Sequence, residues 1–441
     1  MKFTYQNIEF SLPLPVMNVP KTVALHTLGC KLNFSETSAL SRLLEQDGYQ
    51  KKEFAEEADV YVLNTCSVTE NANKECRQII RQIRRKAPQS TIVVTGCYAQ
   101  LKPEEIAAID GVDLVLGAAE KFNIAHHLRD YTQTGEAKIC SCDIEDVCGF
   151  HDAYSYGDRT RTFLKVQDGC DYNCSFCTIP MARGKSRSDS ISHVIENAER
   201  LAMQGVKEIV LTGVNLGDFG KGSHGAKEHQ EDFYSLIKVL DKVSGIKRYR
   251  ISSIEPNLLT PKIIEFVASS DKFMPHFHIP LQSGSNRILG LMRRRYLREL
   301  YAERVSLIKR FLPFACIGVD VITGFPSESE EDFNETMGFL RELPVSYFHV
   351  FTYSERENTV ALDIKPIVPV HVRQERNKIL HNLSFKKMQY FTAEHRGEIR
   401  PVLFEKCDKS GMMEGYTDNY IRIMTPYHSE WENQIIDWEI N

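Results

Sequence analysis

The sequence lacks any run of eighteen or more apolar residues, which excludes a bilayer-spanning helix. Its first twenty residues, MKFTYQNIEFSLPLPVMNVP, contain neither a continuous apolar core nor a small-residue cleavage site, so no secretory signal is expected and a cytoplasmic location is. Positive charge is not in surplus. Lys and Arg number 54 against 59 Asp and Glu, and the net charge of −5 by itself argues against a polyanionic partner, although a local patch outweighs a sum. Internal repeats and low-complexity tracts are absent. At 441 residues, 42% apolar and 26% charged, the chain reads as a soluble globular protein too long for one core, and two or three domains are expected.

Cysteine, by contrast, is plentiful, with twelve residues. In a reducing compartment these serve as metal ligands, catalysts or small core side chains rather than disulfides. Three of them share a position in the pattern. TVALHTLGC, ADVYVLNTC and STIVVTGC read as β-strands ending at Cys30, Cys66 and Cys97, with helical stretches between them and VDLVLG as a further strand. Strand-helix alternation with short connections predicts a parallel sheet with right-handed crossovers. Ligands bind where the carboxyl ends of such strands form a crevice, so the three cysteines are expected to meet as a shared metal site. The plainer alternative is three unrelated core cysteines. Residues 121 to 158 read as an interdomain passage. It holds CSCDIEDVC (Cys140, Cys142, Cys148), without histidines at finger-like spacing, so these are read as reduced cysteines of minor structural consequence.

A second alternating series runs through TFLKVQDGC, KEIVLTGVN, RYRISSIEP, HFHIPLQSG, ACIGVDVITGFP and YFHVFTYS. Six strand-helix units predict a partial barrel, whose chemistry lies at the C-terminal mouth. Asn215, Glu255, Gln282 and Thr323, just past these strands, are expected to face one cavity, with capping or turn roles as the alternative. After Pro369 a long helical pattern gives way, near residue 393, to strand-period alternation that reads as a small all-β module.

The stretch GCDYNCSFCTIP follows the first barrel strand and carries Cys170, Cys174 and Cys177 in a C-x3-C-x2-C spacing. Structural zinc sites close with four protein ligands, and no partner pair or histidines accompany this loop. A three-thiolate loop suits an iron-sulfur cluster better. A 4Fe-4S cluster held by three cysteines keeps one iron open to a substrate or cosubstrate.

This loop, its place after the first barrel strand and Phe176 before its last cysteine resemble the radical S-adenosylmethionine (SAM) enzymes. Together with TLGCKLNFSET, NTCSVTENA, VTGCYAQ, LTGVNLGDFG, SSIEP, HIPLQSGS, MRRRY and GVDVITGFPSES, it resembles the methylthiotransferase family over nearly the entire chain. TLGCKLN and KVQDGC are most similar to the branch that modifies N6-threonylcarbamoyladenosine at position 37 of tRNA.

The resemblance implies an α/β protein of three parts. These are an N-terminal Rossmann-like parallel-sheet domain (20–135), a partial (β/α)6 radical SAM barrel (156–392) and an all-β TRAM-like RNA-binding domain (393–441). It implies two 4Fe-4S clusters, one on Cys170, Cys174 and Cys177 and an auxiliary one on Cys30, Cys66 and Cys97. SAM is the implied cosubstrate, contacted at Phe176, Gly213, Asn215, Ser253, Glu255 and Gln282, with the glycine-containing strand Gly318 to Gly324 near its adenine. A methylthio group would be transferred to C2 of the adenine, a position without useful acidity, where a radical route suits and general base catalysis does not. The implied partners are the tRNA anticodon loop and an electron donor such as a flavodoxin or ferredoxin, with no membrane. Isopentenyladenosine in tRNA or an aspartate of a ribosomal protein is the alternative target. A noncatalytic metal-dependent RNA-binding protein, with zinc on the loop cysteines, is the alternative of another class. Two motifs depart from the family pattern: GFPSES stands for GFPGET, and YSERENT for YS-x-R-x-GT.

Three basic clusters are candidates for RNA contact: Lys74, Arg77, Arg81, Arg84, Arg85 and Lys86, of which the first five share one helix face opposite Cys76, Ile79, Ile80 and Ile83; Arg183, Lys185 and Arg187; and Arg293, Arg294, Arg295 and Arg298. The plainer reading of such a stripe is a solvated helix face. Tyr172, Phe219 and Tyr353 are candidate platforms for a flipped base.

Overall fold

In the computed structural model, which describes residues 21–67, 70–132, 135–147, 149–157, 159–407 and 411–441, the first alternating series builds a six-stranded parallel sheet. Its strands are β1 (Thr22–Thr27), β2 (Gln50–Lys51), β3 (Val60–Thr65), β4 (Thr91–Gly96), β5 (Leu114–Leu116) and β6 (Lys138–Cys140), ordered β2-β1-β3-β4-β5-β6. Every residue of β3 is buried, as expected of a central parallel strand covered on both faces. Helix α1 (Lys31–Gln46) sets Leu40 and Leu44 against one face, and α2 (Glu70–Lys86) sets Cys76, Ile80 and Ile83 against the other. Cys76 is fully buried there, and burial pushes its thiol up to about 12, so it serves the core. The stretch expected to be an interdomain passage belongs partly to this first domain, which also continues past residue 135. Ile124 and Leu128 complete its core, and β6 pairs with β5, which would otherwise be an unpaired edge. Cys140 ends β6, Cys142 is exposed, and Cys148 lies outside the described residues.

The second series forms the partial barrel. A short strand β7 (Ala153–Tyr154) pairs antiparallel with β8 (Thr162–Lys165). An antiparallel pair, β9 (Gln167–Asp168) with β10 (Arg187–Ser188), ties together the two ends of the loop between them. Parallel strands β11 (Glu208–Thr212) and β12 (Arg248–Ile251) extend the sheet from β8. The strands β13 (His276–Gln282), β14 (Cys316–Thr323) and β15 (Tyr347–Thr352) form a second parallel group. A parallel bridge from Tyr249 to Phe273 joins the two groups. One continuous apolar core runs between these strands and their outer helices, including Leu211, Phe219, Ile251, Phe277 and Val319.

The C-terminal module is an antiparallel sheet of β16 (Ile399–Cys407), β17 (Met412–Thr417), β18 (Arg422–Pro426) and β19 (Ile435–Glu439), ordered β18-β17-β16-β19. It is fixed to the barrel by Arg248 and Arg250 of β12, which donate to the carbonyls of Pro401, Tyr416, Thr417 and Asp418. No helix among the described residues is long and apolar enough to cross a membrane.

Candidate functional site

The three N-terminal cysteines follow three neighbouring strands. Cys30 comes after β1 and caps α1, Cys66 follows β3 directly, and Cys97 opens the short helix α3 (Cys97–Leu101) after β4. Close approach here depends on Gly29, at φ +106°, where a β-carbon would lie 2.6 Å from Cβ of Cys66 and 2.9 Å from its Sγ. None of the three forms a disulfide. Cys97 is buried, which raises its pKa against the opposing pull of Arg183 and Lys121.

The second set sits on the loop after β9. Gly169, at φ +69°, brings the chain so close to the Lys185 carbonyl that no β-carbon fits. The loop is then held by backbone bonds from Cys170 to Gly184 (3.0 Å), Ser175 to Met292 (3.1 Å) and Cys177 to Cys174 (3.2 Å). Burial pushes the thiols of Cys170 and Cys177 up to about 12 and about 11. Cys174 also rises with burial, opposed by Arg294, which donates to its Sγ at 3.2 Å. The same guanidinium is paired with Glu255, whose pKa is raised by burial.

A buried ion network lies between the two sets. Glu36 of α1 meets Lys121 (2.7 Å), Lys165 (3.0 Å) and Arg183 (3.1 Å). Asp168, two residues before Cys170, meets Lys165 (2.8 Å), Arg183 (2.9 Å) and Arg187 (3.2 Å). Asn33, three residues after Cys30, accepts from Arg183 at 2.5 Å. The three cations around Glu36 hold its carboxyl well below its usual range despite the opposing effect of burial, which is the largest single influence on it. Four cations thus face two carboxylates, leaving positive charge beside Cys30 and Cys97. Buried thiols need a compensating cation to ionise, and a thiolate-ligated iron-sulfur cluster is itself anionic. The residues present fit such a group at both loops.

Among the expected SAM contacts, Phe176 and Gln282 line a cavity of about 250 Å³ with Cys177, Asp320 and Tyr353. Gln282 takes φ +68° at a register shift of β13. Asn215 is 3% exposed, its backbone N–H donates to Gln167, and neither its side-chain oxygen nor its nitrogen has a partner. A buried amide with a free donor and a free acceptor suits an amino-acid headgroup. Gly213 packs against the Gln167 side chain, and the Ser253 carbonyl accepts from Leu216 at 3.3 Å. Thr323 does not face the cavity. It is buried, and its hydroxyl lies 3.3 Å from the Arg373 carbonyl and 3.4 Å from that of Phe351. At Gly318 the space a side chain would take is filled by the ring of Tyr347.

The basic clusters need correction. Arg183 and Arg187 are buried in the ion network and Arg294 in the cysteine loop, so they are not RNA-facing. On α2, Arg77 is paired with Glu70 and Glu105, and Arg84 with Asp113, which leaves Lys74, Arg81 and Arg85 exposed. Phe219 is a core residue and cannot stack on a base, and Tyr172 is buried beneath Arg295, whose guanidinium lies 3.9 Å from its ring. Sequence reasoning did not single out Glu36, Lys121, Lys165 or Asp168, whose partners lie up to 147 residues away.

Comparison with known proteins matches residues 22–117 to a model described as uncharacterized protein family UPF0004 and residues 164–340 to the radical SAM superfamily. The chain is 41% identical to the threonylcarbamoyladenosine tRNA methylthiotransferase MtaB of Bacillus subtilis, over 91% of this chain and 90% of that one. The protein of the same name from Aquifex aeolicus is also 41% identical, over 92% and 97%. A tRNA-2-methylthio-N(6)-dimethylallyladenosine synthase of Clostridium tetani is 33% identical, over 91% and 89%. Among solved structures, the radical SAM methyltransferase TsrM of Kitasatospora setae shares the fold at TM-score 0.54 and 15% identity, covering 76% of this chain and 75% of that one.

Proposed function

The chain belongs to the methylthiotransferase family of radical SAM enzymes, and from that premise we propose that it places a methylthio group on C2 of N6-threonylcarbamoyladenosine at position 37 of tRNA. The observation that carries this reading is the pairing of two three-thiol sets across one buried ion network. Relatives named for this nucleoside are 33% to 41% identical and those named for dimethylallyladenosine 32% to 33%, which favours it over isopentenyladenosine.

The two 4Fe-4S clusters and SAM supply, when bound, the radical that removes hydrogen from C2 and the methylthio group that replaces it. The protein's own residues have other tasks. Cys30, Cys66 and Cys97 would hold one cluster and Cys170, Cys174 and Cys177 the other. Arg294 donates to the Cys174 sulfur and tunes it. Asn215 and Gln282 would orient SAM, with Phe176 and Tyr353 closing its cavity against water. Glu36 and Arg183 fix the N-terminal domain on the barrel, so that both sets keep one spacing. Arg81 and Arg85 of α2 are surface cations suited to tRNA phosphates. A small flavodoxin or ferredoxin would deliver the electron, and the chemistry runs in the cytoplasm.

The test is nucleoside mass spectrometry of tRNA carrying threonylcarbamoyladenosine after anaerobic incubation with the reconstituted protein, SAM, a sulfur source and a reductant. Replacement of one hydrogen by methylthio on that nucleoside is expected. Modification of isopentenyladenosine alone would contradict the proposed nucleoside.

A further inference from the structure

A cavity of about 1130 Å³ opens between the N-terminal domain, the segment carrying Gly157, Arg159 and Arg161, the barrel interior and the C-terminal sheet. Its wall includes Cys30, Lys31, Arg159, Arg161, Arg250 and Tyr420. The cations in it are not equivalent. Arg250 is committed to Glu208 at 2.7 Å and to the Thr417 and Asp418 carbonyls, and Arg161 is committed to Glu405. Lys31, exposed on the cavity wall, has no carboxylate within ion-pair distance among the described residues. The acid nearest in influence, Asp320, is engaged by His278 at 2.9 Å. Arg159 stacks over Phe34 at 4.8 Å, also without a carboxylate partner among the described residues. His276, buried and stacked on Tyr420 at 3.9 Å, has an Nδ1 with no partner.

A half-open cavity in which Lys31 and Arg159 lack carboxylate partners among the described residues and His276 offers an unsatisfied nitrogen suits an anion that also carries hydrogen-bonding groups, although Glu53 and Glu56 line it too. Lys31 directly follows Cys30, so the cavity opens onto the first cysteine set. C2 and C6 of adenine flank the same ring nitrogen, and a base whose C2 approaches Cys30 carries its N6 substituent into the same space. The threonylcarbamoyl substituent ends in a carboxylate and a hydroxyl. The isopentenyl substituent has neither.

We infer that Lys31, with Arg159 beside it, forms the subsite that binds the threonyl carboxylate and so selects this nucleoside over its isopentenyl counterpart. The inference rests on the proposed function and names the selecting residues within it. A backbone phosphate of the same RNA offers similar charge, and the experiment separates the two sources.

The experiment measures kcat and KM on anticodon stem-loops that carry either threonylcarbamoyladenosine or the same nucleoside with its carboxylate converted to a neutral amide. Loss of one charge-assisted contact predicts a KM about ten- to hundredfold higher for the amide loop with the wild-type protein, with kcat changing less. Lys31→Gln is expected to raise KM for the carboxylate loop and to lose most of the distinction between the two loops, and Lys31→Arg to restore part of it. Iron and sulfide are counted in each variant. If Lys31→Gln loses iron, Arg159→Gln and the wild-type comparison decide. Equal KM values for the two loops with the wild-type protein would overturn the inference and assign the cations to phosphate. Full discrimination by Lys31→Gln with its iron intact would overturn it too. Failure of the wild type to modify either loop would instead overturn the nucleoside reading on which it rests.

Discussion

Arg183 of the barrel donates to Glu36 of the N-terminal domain at 3.1 Å, and both side chains are at least 95% buried. This pair joins the helix that follows Cys30 to the helix that follows Cys177. Removing one partner of such a pair leaves the other charge buried and unmatched, a loss of about 3–5 kcal/mol. Glu36→Gln is therefore expected to lower stability on that scale and to loosen the N-terminal domain. Denaturant unfolding, with hydrogen exchange resolved by domain, checks it.

The same carboxylate sets a pH dependence. Glu36 lies well below its usual range, with Lys121, Lys165 and Arg183 as the stabilising neighbours. A depressed folded-state pKa gives stability that is fully present above the unfolded value, about 4.5, and is lost as pH falls toward the depressed one. Thermal unfolding of the wild type should show midpoints that fall as pH drops below about 4.5, and the slope should be shallower in Glu36→Gln. Identical slopes in the two proteins would contradict this assignment.

Much of this arrangement was readable in the sequence. The alternation of β-branched runs with helices put Cys30, Cys66 and Cys97 after three strands, and the parallel sheet brings those strand ends to one edge. The C-x3-C-x2-C loop needed only its spacing. Contacts formed between charges distant in sequence were not readable. Arg183, Arg187 and Arg294 look like a surface patch in a linear reading, because the Asp, Glu and Cys atoms that neutralise them arrive from other elements. The missed strand β6 is three residues long and carries little pattern.

Asn215 offers a direct check on the SAM site. Both of its side-chain polar atoms lack partners in the folded chain. If they hold the cosubstrate, Asn215→Ala should weaken SAM binding about fivefold or more, at about 1–3 kcal/mol for a buried polar partner, without changing iron content. Calorimetric titration of the reconstituted protein measures it. Unchanged affinity would remove Asn215 from the site.

Arg294 touches the sulfur of Cys174 and the carboxylate of Glu255 at once. Hydrogen bonds to cluster sulfurs are among the influences on reduction potential, and donors stabilise the more negative, reduced form. Arg294→Met should lower the potential of one cluster and leave the other unmoved in a spectroscopic redox titration. It should also destabilise the fold, because Glu255 is left buried without its partner.

Both departures from the family pattern fall at backbone positions that favour glycine. Ser327 has φ +69° and Asn358 has φ +62°. A left-handed conformation costs a side-chain-bearing residue about 1–2 kcal/mol, less for asparagine, partly offset by the entropy glycine brings to the unfolded chain. Ser327→Gly is expected to stabilise by about 0.5–1 kcal/mol and Asn358→Gly by less, read as shifts of the denaturant midpoint.

The central claim is that two separate sets of three thiolates each hold an iron-sulfur cluster. Anaerobic reconstitution followed by iron and sulfide counting tests it in the wild type and in a protein carrying Cys30→Ala, Cys66→Ala and Cys97→Ala. The account predicts about eight irons falling to about four. A wild type with only about four irons, all of them kept by the triple variant, would contradict it.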